Sequence, residues 1–238
     1  MRLNYFKTCL SLLAIVLSAL FIQPANAQNN AVAQYLSEAG NYAALYRGVV
    51  EPLYNTTLCK TLPYHISPDF TDAEVCFNHK EYTGRKMRYD TNKDHFLVMT
   101  PSNHSIILDS RKVQWVKLHG RKVINHTPPA NAKFKAGFYF LFHNGKQLTL
   151  LGKERQIYRE LPSKIEYTFD TSMRYYALYN GEYYPVKNKK SFTRLLPKYK
   201  KQIARFCKTN RLDFRENREY SLTTLGAFCD ELLNNQTL

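Results

Sequence analysis

The amino-acid sequence predicts a mainly β fold of antiparallel hairpins and meanders, an α+β arrangement that ends in a C-terminal pair of helices. Three observations lead to this fold class. Short runs of β-branched and aromatic residues recur between turn signals. Two Asn-Gly dipeptides each separate two such runs, which is typical of a tight hairpin. After residue 187 the apolar residues change to a spacing of three and four, which is typical of an α-helix.

The chain begins with the three parts of a secretory signal peptide, predicted over residues 1–27. Arg2 and Lys7 supply positive charge, and residues 9–22 are apolar. Small residues at the end of the segment fit a cleavage site before residue 28. The alternative is a membrane anchor, but an apolar run of about 14 residues is shorter than the roughly 20 that cross a bilayer. We therefore expect an exported protein, periplasmic or extracellular, without a transmembrane span in the mature chain.

The remaining chain divides by composition into three segments. Residues 28–41 are polar and rich in alanine, which predicts a flexible entry arm. Residues 42–186 carry the strand and turn pattern of an antiparallel β domain, with a possible subdivision near residues 127–132, where two prolines interrupt it. Residues 187–238 form a basic, helical C-terminal segment.

Strand patterns follow one another closely in the first part of the β domain. The runs rich in β-branched and aromatic residues are 74–77, 86–89, 95–99, 105–108, 112–118 and 121–124. Turn signals such as Thr83-Gly84 and His119-Gly120 lie between them. Because tight turns join strands that reverse direction, this order predicts an antiparallel meander.

Two hairpins are predicted in the second part of the β domain. Their turns and flanking runs are Asn144-Gly145 between 137–143 and 146–151, and Asn180-Gly181 between 175–179 and 182–186. Asn-Gly supplies two residues that accept positive φ, as a two-residue type I′ turn requires. The aromatic residues of these runs are expected to pack across neighbouring strands rather than to form a sugar-binding face.

Two amphipathic helices are predicted after the strands. The first has one apolar stripe made of Phe192, Leu195, Leu196, Tyr199, Ile203 and Phe206. Pro197 breaks an interior turn, so either a short first turn kinks there or the main helix begins at Pro197. Asn210 marks the end of this helix, and Ser221 is expected to cap the second one.

Positive charge is the most distinctive feature of the C-terminal segment. The whole chain has a formal net charge of +15, and residues 187–211 contain ten basic and no acidic residues. One interpretation is a solvated helix face. The other is a cationic surface for anionic lipid head groups, acidic glycans or nucleic acid, and nucleic acid is disfavoured because no binding motif is present. The candidate residues for such a surface are Lys198, Lys200, Lys201 and Arg205.

Four cysteines remain after the predicted cleavage: Cys59, Cys76, Cys207 and Cys229. In an oxidising compartment an even number permits two disulfides, with three possible pairings. Proximity in sequence favours Cys59 with Cys76 and Cys207 with Cys229, and four separately buried thiols are the alternative. The spacing contains no Cys-x-x-Cys, which disfavours a redox motif or a structural zinc site.

The sequence contains no recognisable catalytic, cofactor-binding or metal-binding motif. It has no Gly-x-Ser-x-Gly elbow, no Walker loop and no Gly-x-Gly-x-x-Gly fingerprint. The seven histidines show no helical zinc spacing, so structural or surface positions are expected for them. A pair of acids acting on glycans stays open, since any two carboxylates can meet in space.

Several segments occur in an order that resembles one group of proteins. They are GRKMRYD at 84–90, SIIL at 105–108, KVQWV at 112–116, GFYFL at 137–141 and the tyrosine hairpin that leads into KKSF at 189–192. Over most of residues 42–233 the chain resembles exported Gram-negative bacterial proteins of unknown function. The resemblance implies export, and because this group has no established activity, the resemblance assigns no catalytic residue.

The sequence therefore favours a noncatalytic envelope or secreted protein whose β domain presents a binding or structural surface. An anionic envelope component, a glycan or a protein is the expected partner. The alternative is an exported hydrolase that acts on envelope or glycan material.

Overall fold

The computed structural model describes residues 25–129, 134–162 and 165–235. The chain forms two compact units, Met1–Ala43 and Ala44–Leu238. Helix α1 (Ala25–Ala39) and a 3₁₀ turn make up the described part of the first unit. The segment expected as a flexible arm thus contains most of α1, while the predicted signal peptide lies outside the described residues except for its last three.

The second unit is built on a single antiparallel sheet. Its strands are β1 (Val49–Val50), β2 (Thr71–Phe77), β3 (Lys80–Asp90), β4 (His95–Met99), β5 (Ser105–Ile107), β6 (Val113–Leu118), β7 (Arg121–His126), β8 (Gly137–Asn144), β9 (Leu148–Glu160), β10 (Tyr167–Tyr179) and β11 (Glu182–Val186). They lie in the order β1-β5-β4-β3-β2-β6-β7-β8-β9-β10-β11, and each neighbouring pair is antiparallel. The predicted mainly β, antiparallel fold is confirmed. At the possible subdivision near residues 127–132, β7 and β8 pair directly with each other, one on either side of it.

The last hairpin has the turn that its sequence predicts. Asn180 and Gly181 have φ values of 49° and 77°. Tyr179 and Glu182 are directly paired on either side of them. Positive φ at both central residues is the requirement of a type I′ turn, which matches the twist of the flanking strands.

The predicted two-residue turn at Asn144-Gly145 is wrong. Asn144 belongs to β8 and pairs with Thr149, so the connection runs over residues 145–147. Gly145 serves a different purpose there, because a Cβ atom at this position would overlap the carboxylate of Asp230. The glycine lets the Asp230 side chain lie directly against the hairpin backbone.

The predicted turn at Thr83-Gly84 is also wrong, since both residues lie inside β3. The pairing of β2 with β3 shifts register at this level, and Gly84 has a φ of 61°, so the glycine marks a β-bulge. The reversal between β2 and β3 occurs at Asn78 and His79, with φ values of 51° and 62°.

The sheet is curled, so that segments next to β2 and β3 contact β9 and β10, which are far from them in the strand order. The Asn92 side chain, in the turn between β3 and β4, donates to the Gln156 carbonyl of β9 at 2.8 Å. Ahead of β2, the Lys60 amide donates to the Tyr167 carbonyl of β10 at 2.9 Å. One face of the curled sheet is therefore enclosed, and the other faces outward.

The C-terminal helices pack on the enclosed side of the last strands. They are α2 (Lys189–Leu195), α3 (Lys200–Thr209) and α4 (Arg218–Asn234), with a 3₁₀ turn at Pro197–Tyr199. Their buried side chains form one cluster with those of β9, β10 and β11: Leu148, Leu150, Tyr175, Ala177, Val186, Phe192, Leu196, Tyr199, Ile203, Leu222 and Leu225.

The ends of these helices confirm one sequence prediction and correct another. The chain kinks at Pro197, and Asn210 follows α3 as its C-terminal cap, as expected. Ser221 does not cap the last helix, which begins at Arg218 after Asn217. Ser221 is instead buried inside α4, where its hydroxyl donates to the Asp213 carbonyl at 2.8 Å.

All four cysteines are buried free thiols, so the described residues contain none of the expected disulfides. Cys59 pairs with β10 and Cys76 lies on β2, and four strands separate β2 from β10 in the sheet. Cys207 and Cys229 share the cluster between the helices and the sheet. Burial raises the pKa of both thiols, that of Cys229 to about 12, which keeps them in the unreactive protonated form.

In the described residues, no helix combines the length and apolar character needed to cross a bilayer.

Candidate functional site

The outward face of β9 and β10 carries a row of cations. Lys153 pairs directly with Arg174, and Arg155 pairs with Ser172. Paired residues of an antiparallel ladder point to the same side, and side chains alternate along each strand. Since Leu148 and Leu150 of β9 contact the helices, the odd-numbered Lys153 and Arg155 point away from them.

These side chains line a cleft of about 510 Å³ together with aromatic residues. Its cations are Lys135, Lys153, Arg155 and Arg174, and its rings are Phe134, Tyr139 and Tyr176. None of the described residues that line the cleft is acidic. We call this the cationic–aromatic cleft.

Lys153 forms the floor of the cationic–aromatic cleft, and its charge is balanced by the carboxylate of Asp94. Its side chain is only 6% exposed, and its Nζ lies 2.6 Å from Asp94 Oδ2 and 2.7 Å from the Phe138 carbonyl. Burial is the largest influence on the pKa of Lys153 and lowers it, while Asp94 opposes that effect. Tyr89 donates to the second oxygen of Asp94 at 2.5 Å. The pair is therefore a fixed part of the structure.

The other three cations of the cleft are exposed and unpaired. Lys135, Arg155 and Arg174 all reach solvent. Within residues 25–129, 134–162 and 165–235, none of them forms an ion pair. Their charge is consequently available to a ligand, and the cleft carries a net positive charge.

The rings on one side of the cleft are held by contacts among themselves. Phe134 stacks on Tyr183 with ring centroids 4.0 Å apart, and it meets Tyr176 edge-on at 4.8 Å. The Tyr183 hydroxyl lies 2.7 Å from His126 Nε2, and burial lowers the pKa of that histidine. Burial also raises the pKa of Tyr139 to about 12, so its hydroxyl stays neutral. These rings supply an apolar wall beside the exposed guanidinium groups.

This arrangement suits a ligand with negative charge on one part and an apolar face on another. Guanidinium groups bind carboxylate, sulfate or phosphate through paired hydrogen bonds. Arg155 and Arg174 are diagonal neighbours across two strands, and such neighbours lie roughly 7–8 Å apart, with their Cβ atoms somewhat closer. Two long side chains at that spacing can converge on a single anionic group.

The cations predicted from sequence lie elsewhere. Lys198, in the 3₁₀ turn, and Lys200, Lys201 and Arg205, in α3, are all exposed. Ile203 of the same helix is buried, so the cations occupy the face of α3 that points away from the core. None of them lines the cationic–aromatic cleft.

A buried histidine–carboxylate pair lies on the enclosed face. His65 Nδ1 is 2.7 Å from Glu154 Oε2, and both side chains are less than a tenth exposed. The His119 ring lies near, with centroids 5.9 Å apart. His65 Nε2 has no hydrogen-bond partner among the described residues and no contact with solvent. No set of three or more histidine, cysteine, aspartate or glutamate side chains in the described chain is placed to hold a metal ion.

Comparison with protein-family models, curated proteins and solved structures returned no match. The geometry of the site therefore carries the functional interpretation.

Proposed function

We propose that this protein is an exported, noncatalytic binding protein that holds an acidic glycan in the cationic–aromatic cleft. The observation that carries the proposal is the set of three exposed cations, Lys135, Arg155 and Arg174, beside aromatic rings and without acidic partners in the described chain. Aromatic rings pack on the apolar faces of sugars, and guanidinium groups bind their carboxylate or sulfate substituents.

Two further features support a glycan over a small inorganic anion. The cleft of about 510 Å³ is large enough for more than one sugar ring and lies within the usual size of ligand sites. Its apolar wall, from Phe134 to Tyr176, adds contact area that a small ion does not use. The predicted signal peptide supports a location where envelope or extracellular glycans are present.

The binding experiment uses isothermal titration with an oligomer of galacturonate and, as the neutral probe, an oligomer of glucose. We expect the acidic oligomer to bind and the neutral one to bind much more weakly. The double variant Arg155→Gln/Arg174→Gln should weaken acidic binding at least about tenfold, because two charge-assisted contacts are lost. Wild-type binding should also weaken as salt rises, since the cations are exposed.

The matched control neutralises cations outside the cleft. Lys198→Gln/Lys201→Gln removes the same charge from the helical segment and should leave the affinity nearly unchanged. Failure of the acidic oligomer to bind, or a loss of binding in the helical variant with none in the cleft variant, would contradict the proposal.

An exported hydrolase acting on envelope or glycan material is the second candidate. The His65–Glu154 pair has the arrangement of an oriented general base, with a carboxylate at Nδ1, but its Nε2 is closed to solvent, so it can act on a substrate only if the enclosed face opens. Release of reducing ends from the acidic oligomer by wild-type protein, and its loss in His65→Gln, would support this candidate. Wild-type protein that binds the oligomer and releases none would argue against it.

A further inference from the structure

The edge of β10 that faces away from β9 is only partly covered. β11 pairs with Tyr175–Tyr179 of this strand. At the other end, Lys60 and Leu58 bond to the backbone of Tyr167. Residues 170–174 lie between these two coverings, and Thr171 and Arg174 are exposed to solvent.

The direction of the backbone groups in this gap follows from the register. The Tyr167 amide and carbonyl both point to the open edge, as shown by the Leu58 carbonyl at 3.0 Å and the Lys60 amide at 2.9 Å. Pairing of β10 with β9 continues without a shift over its whole length. Backbone groups of an antiparallel strand alternate between its two neighbours, so Thr171 and Met173 also direct their amides and carbonyls to the open edge.

Where this edge of β10 is covered, the backbone amide and carbonyl of Phe169 form hydrogen bonds within the protein. The Thr61 hydroxyl accepts from the Phe169 amide at 2.8 Å and donates to its carbonyl at 3.1 Å. For Thr171 and Met173, no group in the described part of the chain makes the corresponding bonds. Four main-chain hydrogen-bonding groups are thus available to an added strand.

A cleft of about 490 Å³ lies beside the same gap. Met173, Pro185 and Val186 give it an apolar surface. Arg174, Lys187 and Arg218 surround that surface with positive charge, and the lining residues that the structure describes include no acid. The set of cations disfavours pairing with the same edge of a second copy, because like charges would face each other.

We propose that residues 170–174 of β10 receive an extended acidic peptide segment as an added strand. Its backbone bonds to the open groups of Thr171 and Met173, and its acidic side chains meet Arg174, Lys187 and Arg218. The gap from Phe169 to Tyr175 spans roughly 20 Å at the ordinary rise of a strand, which sets the segment at about four or five residues. This site shares Arg174 with the cationic–aromatic cleft, but the open backbone groups of Thr171 and Met173 and the cations Lys187 and Arg218 belong to it alone and distinguish it from the glycan proposal.

Hydrogen exchange measured by NMR on the full mature protein tests this inference directly. The probes are two peptides that alternate valine with glutamate or with lysine. The amides of Thr171 and Met173 should exchange rapidly in the free protein and become protected, by at least about tenfold, when the glutamate peptide is added. The Ser172 amide, which points to β9, serves as an internal control and should change little.

Two variants separate the contributions of charge and backbone. Lys187→Gln/Arg218→Gln should weaken binding of the glutamate peptide about tenfold while leaving the sheet intact. Met173→Pro removes an outward amide that bonds to no strand, and it should weaken binding similarly. The inference would be overturned if the amides of Thr171 and Met173 were already protected in the free protein or if their exchange were unchanged at saturating glutamate peptide. Equal protection by the lysine peptide would overturn it as well.

Discussion

Replacing Glu51 with alanine is expected to lower the free energy of unfolding by about 3–5 kcal/mol, because it leaves a largely buried arginine without its carboxylate partner. Glu51 follows β1, and its side chain is 3% exposed. It forms an ion pair with Arg88 of β3, whose side chain is 12% exposed. Tyr64 and Ser105 donate to the same carboxylate at 2.6 and 2.7 Å. Loss of this one group therefore leaves three donors without their acceptor.

The position of Glu51 explains why the effect is large. Its carboxylate joins the segment before β2 to β3 and β5, all within the curled part of the sheet. Arg88 is held further by the rings of Tyr64 and Phe70, at 4.1 and 4.4 Å from their centroids. Arg88 cannot turn out to water without losing these contacts, so in the variant its charge stays largely buried without a carboxylate partner.

The control for Glu51 is Glu74→Ala, which removes a glutamate from an exposed ion pair. Glu74 and Lys117 are 43% and 48% exposed, and their atoms lie 2.9 Å apart. We expect a loss below about 1 kcal/mol, as is usual for surface pairs. Urea unfolding of the two variants measures the difference. Equal small losses would show that the Glu51 cluster adds little to stability.

The Glu51 contribution should also depend on pH. Burial is the largest influence and raises the pKa of Glu51, but the hydrogen bonds from Tyr64, Ser105 and Arg88 outweigh it, so the pKa is lowered overall. A lowered folded pKa means that the stabilisation is complete above the pKa of the unfolded chain. It is lost as the pH falls through the folded pKa. The difference between wild type and Glu51→Ala should therefore shrink in acid.

Asp230→Ala is expected to cost about 3 kcal/mol, since two amides lose a charged acceptor. Asp230 of α4 is 6% exposed and accepts from the amides of Gln147 and Leu148 at 2.7 and 2.8 Å. These bonds attach the last helix to the turn between β8 and β9. Burial would raise the pKa of Asp230, but the two amides prevail and lower it.

Asp213 provides a matched control with the same bonds in an exposed position. It accepts from the amides of Arg215 and Glu216 at 2.7 and 3.1 Å. Because water can replace those bonds, Asp213→Ala should cost only about 1 kcal/mol or less. Thermal unfolding of both variants gives the comparison. A loss in Asp230→Ala no greater than in Asp213→Ala would contradict the role assigned to the buried carboxylate.

Local patterns predicted much of the fold. Asn180-Gly181 specifies its own turn, and the apolar spacing from Phe192 to Ile203 specifies helical segments on either side of Pro197 that pack on the sheet. By contrast, β9 continues beyond Leu151 to Glu160 through mostly charged residues. The strand pattern depends on one buried and one exposed face, and most side chains after Gln156 are exposed. The extension of β9 was therefore missed, and that of β10 with it.

The candidate site could not be predicted from the sequence because it depends on register. Lys153 and Arg155 are two residues apart in β9, so their side chains lie on the same face of the strand. This spacing was the available signal in the sequence for two cations on one face. Arg174 joins them only because the register between β10 and β9 places it directly opposite Lys153. The basic segment after residue 187 is more prominent in the sequence, but its cations are on a separate helix face.

Hydroxyl-radical footprinting of wild-type protein with the galacturonate oligomer tests the site of binding most directly. Phe134 and Tyr176 line the cationic–aromatic cleft and are partly exposed, whereas Tyr220 is 66% exposed and lies in α4. The oligomer is predicted to protect Phe134 and Tyr176 from oxidation and to leave Tyr220 unchanged. Unaltered oxidation of both cleft residues at saturating oligomer would contradict an acidic-glycan site in the cleft.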